Sequence, residues 1–312
     1  MAQPGAPVNS QGGGPRHARF WVVASIRIVS SVNRNDVRAA LKVCFDILAQ
    51  KSGFLLDTRV DVLDSVAEIR ERLRNRSVDL VMLAMPDYLE LESSRLIVPI
   101  LTDVRGAQAA APYSYLLMVN PGSGATSVAS LRGKNLLVAA RSSGPAAGEW
   151  LEVLLGKEKL GRAAAFFGSI KTSDKPQSCI LPLFFDAADA CVVDEINLDL
   201  AREMNPQLGR LRELARSPPM IESVVALPAE PGPYQKELID TMLSLHGDPR
   251  GRQLLMVFKT DRLVRIQPGD LDSARELWKD YARLTGPAPQ SPAGPGGAPA
   301  ARGNPAGSGE RQ

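Results

Sequence analysis

Between residues 20 and 285, short β-branched runs alternate with stretches whose apolar residues recur at helical spacing. This alternation constrains the fold more than any other feature. Residues 21–29 read as an opening strand. Val37, Leu41, Cys44, Phe45 and Leu48 follow at the intervals of one helix face. A second strand is expected near 54–62. Ser65 and Glu68 have the spacing of a capping box, ahead of a helix whose buried stripe is Val66, Ile69 and Leu73. Asp79 through Ala84 is a nearly continuous apolar run, as in a strand covered on both faces. The unit is βαβαβ, so a parallel sheet with right-handed crossovers is expected.

The alternation resumes after Pro112. Residues 115–119 read as a strand, 128–133 as a short helix ending at Gly133, 136–140 as a strand and 146–155 as a helix. Residues 190–193 make another apolar strand, after a helical segment in which Pro182 forces a late start or a kink. A strand at 222–227 and helices near 234–245, 249–257 and 271–284 complete the pattern. The chain is therefore α/β, with two similar lobes and no tandem repeat.

Charge and composition narrow the function. The net charge of +3 is carried by Arg16, Arg19, Arg302 and Arg311 against Glu310, so residues 20–285 are neutral. A nucleic-acid binder needs a basic face on its fold, so none is expected. Residues 1–19 and 286–312 are rich in Gly and Pro and read as disordered tails, since they cannot bury enough surface to offset ordering. Three scattered cysteines make no disulfide framework, and with only His17 and His246 no Cys/His metal cluster is expected. No apolar run reaches the length of a membrane span. The run 20–32 imitates a signal peptide, but Arg27 interrupts it and no small-residue cleavage site follows. No export signal is expected in this chain.

The order of several segments then resembles a known family. These are Ser30-Ser31 after the first strand; Met85-Pro86-Asp87-Tyr88 after the third; Leu131-Arg132-Gly133-Lys134, a strand and Arg141-Ser142-Ser143-Gly144; and Ala188 to Asp194. Asn205-Pro206-Gln207-Leu208, Ser217-Pro218-Pro219 and residues 253–259 continue the likeness. Over roughly 20–285 the chain resembles the PhnD-like phosphate, phosphite and phosphonate-binding proteins of ABC transporters. The resemblance implies a two-lobed type II periplasmic-binding-protein fold, with mostly parallel sheets flanked by helices and a ligand cleft between lobes. Lobe I would comprise 20–107 with 222–285 and lobe II 113–216, joined by crossings near 105–114 and 217–225 and closing on the ligand by hinge motion.

The physics of anion binding points to the same places. Ser142, Ser143 and Gly144 precede a helix after a strand, and helix N-termini offer unpaired N–H donors. Ser30, Ser31 and Asn33 precede the first helix in the same way; a plain cap by Asn33 or Asn35 is the alternative. Tyr88 follows a strand at the edge where open α/β sheets bind ligands. Asp194 ends its strand and, by the resemblance, matches a ligand carboxylate; a helix cap is the alternative. The histidine that aminoalkylphosphonate binders use is missing, and Lys175 in that region reads as solvated.

Other motifs carry little. Residues 121–127 resemble a phosphate loop but lack its Gly-Lys-Ser/Thr ending. Asp186, Asp189, Asp194 and Glu195 lack a calcium-site pattern. Neither a base–nucleophile pair nor a metal or cofactor site is visible. The expected function is a non-enzymatic receptor for a small oxyanion that serves an ABC permease, as a monomer. By the resemblance it is periplasmic; a cytoplasmic location is the alternative. The second functional reading is a sensor that uses this fold to present a ligand-dependent surface to a signalling partner.

Overall fold

A computed structural model describes residues 16–28, 33–105, 113–139, 146–173, 175–230, 232 and 234–286. The first lobe begins with β1 (Arg16–Ser25), α1 (Arg34–Ser52), β2 (Phe54–Leu63), α2 (Val66–Arg74), β3 (Leu80–Ala84), α3 (Met85–Glu92) and β4 (Ile97–Val104). The chain then enters the second lobe: β5 (Tyr115–Val119), β6 (Asn135–Ala139), α4 (Ala147–Lys157), α5 (Ala163–Phe166) and β7 (Ser169–Ser173). It continues through α6 (Gln177–Phe184), β8 (Ala190–Asp194), α7 (Glu195–Met204) and β9 (Arg212–Arg216). It returns through β10 (Ser223–Pro228), α8 (Gln235–Ser244), α9 (Pro249–Val257), β11 (Arg262–Arg265) and α10 (Asp272–Thr285).

Each lobe is built on one mixed sheet. The first has the order β11-β4-β10-β3-β1-β2, the second β7-β6-β8-β5-β9. β1 pairs in parallel with β2 and β3, and β6 with β7 and β8, as the βαβ pattern requires. The remaining ladders, those of β10, β4, β11, β5 and β9, are antiparallel. The expectation of mostly parallel sheets is corrected here. β4 and β5 on one crossing, and β9 and β10 on the other, carry the chain between lobes, and such strands need not run with their neighbours. β1 also starts earlier than expected, so residues 16–19 belong to a strand and not to the tail.

Period-two burial sorts the side chains onto two faces of each sheet. On the first sheet, Val23, Val81 and Leu83 point one way, while Val22, Ala24, Leu80 and Met82 pack beneath α1, α8 and α9. On the second, Tyr115, Leu117 and Val192 point toward the first group's core, while Leu116, Met118, Cys191 and Val193 pack beneath α6 and α7. One core thus runs through both lobes. Trp150 of α4 stacks on Tyr115 within it, ring centroids 6.3 Å apart. Leu271, Ala274 and Leu277, at and within α10, close it from the C-terminal side. α10 packs chiefly against α4 of the second lobe and secondarily against α3 of the first.

The crossings meet at the pair Tyr113 and Met220, each of whose amides donates to the other's carbonyl, at 3.3 and 3.0 Å. Among the described residues, no helix is long and apolar enough to cross a membrane.

Candidate functional site

The carboxyl ends of β1 and β3 lie side by side because the strands are parallel neighbours. Ser25 ends β1, Arg27 follows two residues later, and Asp87 stands in the first turn of α3, which Pro86 opens. An acid in the first turn suits the helix dipole. Asp87 is only 2% exposed. The Ser25 hydroxyl donates to its Oδ2, and Arg27 Nε lies 3.1 Å from its Oδ1. Burial pushes the Asp87 carboxyl above its ordinary range, while the Ser25 bond and the Arg27 charge oppose that rise.

The charge of Arg27 is also felt at the second lobe. Burial raises the carboxyl of Glu149, in the first turn of α4, and the Arg27 charge acts against this.

A second polar cluster occupies the crossings. Tyr113 donates its hydroxyl to Glu222 Oε2, and both side chains are buried. Arg105 Nε donates to Asp103 Oδ2 at 2.9 Å, and the Ser223 hydroxyl donates to Asp103 Oδ1. Burial pushes Glu222 up to about 8 and Asp103 adds to the rise, against the Tyr113 bond, the Arg105 charge and the Ala146 amide at the opening of α4. Glu222 Oε1 makes no bond of normal geometry. Burying a carboxylate costs several kcal/mol unless it is fully paired, so this group holds its proton near neutral pH.

The residues singled out from the sequence are scattered among these features. Ser30, Ser31, Ser142, Ser143 and Gly144 lie outside the described residues. Asn33 is exposed and caps α1, its Oδ1 accepting from the Asn35 amide at 2.8 Å. Tyr88 is buried on α3, and its hydroxyl donates to Glu92 Oε1 at 2.9 Å. Glu92 in turn takes Arg275 Nη2 of α10 at 2.6 Å. Burial, then the bond to Glu92, pushes the Tyr88 phenol up to about 12. Asp194 is buried and caps α7: Oδ1 accepts from the Asn197 amide at 2.8 Å and Oδ2 from Asn197 Nδ2 at 2.6 Å. Its charge still reaches Tyr113. Lys175 is exposed. Among the described residues, no three His, Cys, Asp or Glu side chains converge on a metal position. Cys44, Cys179 and Cys191 are buried thiols, and burial pushes Cys44 up to about 12, far from a reactive thiolate.

Arg27, Asp87, Glu149, Tyr113, Arg105 and Glu222 were not singled out in advance. Arg27 registers in the sequence only as a charge breaking an apolar run. Asp87 stands inside the Met85–Tyr88 motif beside the tyrosine. A signal was available for both: charged residues within three positions of the carboxyl end of an apolar strand.

Two α/β lobes, joined at two crossings with charged groups gathered between them, define a solute-binding protein. The family model for periplasmic substrate-binding proteins of phosphonate ABC transporters matches residues 26–271, and the chain belongs to that family. A binding-protein component of an ABC phosphonate transporter from Pseudomonas aeruginosa, PA3383, has a similar structure. Its TM-score is 0.53 at 14% identity, covering 87% of this chain and 88% of that one. PhnD1 from Prochlorococcus marinus, in complex with methylphosphonate, gives 0.52 at 13% identity, covering 85% and 99%. XAC2383 from Xanthomonas citri, bound to ATP, gives 0.59 at 18% identity, covering 85% and 98%. At these identities the likeness is one of fold. No curated protein matches the sequence.

Proposed function

We propose that this chain captures a small tetrahedral oxyanion of the phosphate, phosphite or phosphonate class between its lobes and presents it to an ABC permease. It works as a monomer in the periplasm and performs no chemistry on the ligand. The observation that supports this best is the match of residues 26–271 to the binding-protein family of phosphonate transporters, with Arg27 held beside Asp87 at the carboxyl ends of the parallel strands β1 and β3, where open α/β sheets bind ligands. A fixed cation and a helix N-terminus are two ordinary means of holding an oxyanion. In sequence, Ser30, Ser31 and Asn33 stand within the four residues before α1, and Ser142, Ser143 and Gly144 within the five residues before α4. The proposal gives their hydroxyls and amides to the ligand. Tyr88 and Asp194 enter it as residues that shape the site through Glu92 and Asn197, and Asp194 becomes a direct contact if closure frees an oxygen.

A thermal-shift panel tests the reading. Phosphate, phosphite, methylphosphonate, aminoethylphosphonate, sulfate, ATP and glucose are added separately to the full chain. A ligand at a hundredfold excess over its Kd stabilises the native state by about 2.7 kcal/mol, a rise of several degrees for a protein of this size. Phosphorus oxyanions should raise Tm and sugars should not. A flat response to every phosphorus compound removes the reading. A response to ATP alone transfers the site to nucleotides.

A further inference from the structure

The first lobe carries a groove at the amino end of β3, on the edge of its sheet opposite the one where Ser25 and Asp87 stand. The five residues of β3, at ~3.3 Å each, set the two edges roughly 17 Å apart. The groove holds about 410 Å³, within the size range of small-molecule sites. Buried Phe20, Val78 and Leu238 line it together with exposed Arg74, Arg76 and Arg95. We propose that this groove is a second ligand site, separate from the cleft, for a soluble phosphate ester with an apolar body.

Charge is the first argument. Arg76 is occupied: its Nη2 lies 2.6 Å from Glu230 Oε2, a pair that ties the loop after α2 to the loop after β10. Arg74 is the last residue of α2 and Arg95 stands two residues before β4. Among the described residues, neither has an ion pair or a side-chain hydrogen bond. The other acid on the groove is Asp79, whose Oδ2 already accepts from the Trp21 amide at 2.8 Å. Two unpaired guanidinium groups thus face one carboxyl, which burial pushes above its ordinary range and so toward its neutral form. The local balance is positive and favours an anion. Each arginine fork matches two oxygens of a phosphate.

The apolar lining is the second argument. Phe20, Val78 and Leu238 are each at most 3% exposed and are held by the packing of their own elements. A bare inorganic anion leaves such a surface facing water, whereas an aromatic or aliphatic body covers it. Gln235, the first residue of α8, also lines the groove, and no side-chain hydrogen bond caps that end of the helix. A ligand with a phosphate at the arginines and an apolar body against Phe20 satisfies both sets of residues.

The rival account is that Arg74 only complements the carboxyl end of α2 and that Arg95 is merely solvated. Phenyl phosphate is the probe, and labelling of the full chain with phenylglyoxal, followed by mass spectrometry of its peptides, reads the site directly. Phenyl phosphate should slow modification of Arg74 and Arg95 severalfold and leave exposed Arg212 of the other lobe unchanged. Methylphosphonate, which lacks the apolar body, should protect them much less. Calorimetry with the double variant Arg74→Gln/Arg95→Gln should show phenyl phosphate binding weakened roughly tenfold or more. Should that variant fail to fold, the protection pattern of wild type decides alone. No protection of Arg74 and Arg95, or equal protection of Arg212, overturns the proposal. So does a double variant that melts lower yet binds within twofold of wild type, the result the rival account requires. Flotation with phosphatidylglycerol vesicles tests the other source of a phosphate group. Vesicle binding that needs Arg74 and Arg95, with no response to phenyl phosphate, overturns the soluble ligand and gives the groove to a lipid headgroup. None of these outcomes depends on what the cleft binds.

Discussion

At the scale of single residues, buried carboxyls decide how this protein responds to pH. Glu222 is raised from 4.5 to about 8 by burial. Between those values the folded state keeps a proton that the unfolded chain releases. The unfolded state therefore binds fewer protons, and stability falls as pH rises, by about 1.4 kcal/mol per unit for one group. Asp87 and Glu149 are raised by the same cause and add in the same direction. Glu222→Gln keeps an acceptor for the Tyr113 hydroxyl and has no proton to lose. The variant should lose much of the decline between pH 5 and 8 and be the more stable protein at pH 8.5. Urea unfolding of both proteins at pH 5.5, 7 and 8.5 checks this; parallel pH profiles would show that Glu222 does not titrate in that window.

At the scale of elements, the sequence reads best where burial is one-sided and long. The stripe Val37, Leu41, Cys44, Phe45 and Leu48 is the buried face of α1, and Ser65 caps α2 by accepting from the Glu68 amide. The strands without a sequence signal include β7, β9 and β11, which lie at sheet edges. An edge strand pairs on one side only, so its residues stay half exposed and polar, as in Arg212-Glu-Leu-Ala-Arg216, and no apolar run marks it. Close packing gives a prediction for α9. Asp248 caps that helix, and Gly251 in its first turn passes so near the preceding segment that an added Cβ would lie 2.2 Å from the Leu245 carbonyl oxygen. Gly251→Ala should cost roughly 1–3 kcal/mol through forced backbone shifts, despite the better helix propensity of alanine. Chemical denaturation measures it, and a variant as stable as wild type would mean that the segment relaxes freely.

At the scale of the whole molecule, the C-terminal helix belongs to the fold although the family match ends at residue 271. α10 lies on α4, adds Ala274 and Leu277 to the shared core, and ties Arg275 to Glu92 of α3. It thus touches both lobes. Each fully buried large side chain contributes about 1.5–3 kcal/mol. A fragment ending at residue 271 should melt well below the full chain and bind a hydrophobic dye at the exposed face of α4. Unchanged melting would make α10 a passive appendage.

What the sequence determined by itself is local and periodic. The alternation of strand and helix, the caps at Asn33 and Ser65, the apolar runs of the central strands and the family likeness are all legible in neighbouring residues. The tertiary structure alone decided strand direction, since an apolar run reads the same both ways. It alone brought Arg27 and Asp87 together: they lie 60 positions apart, and no local pattern encodes their meeting. It also decided that the Tyr88 hydroxyl bonds Glu92 and that Asp194 caps α7. A polar residue at a strand end can face a ligand or satisfy a neighbour with equal local chemistry. Which it does depends on what the rest of the chain packs beside it.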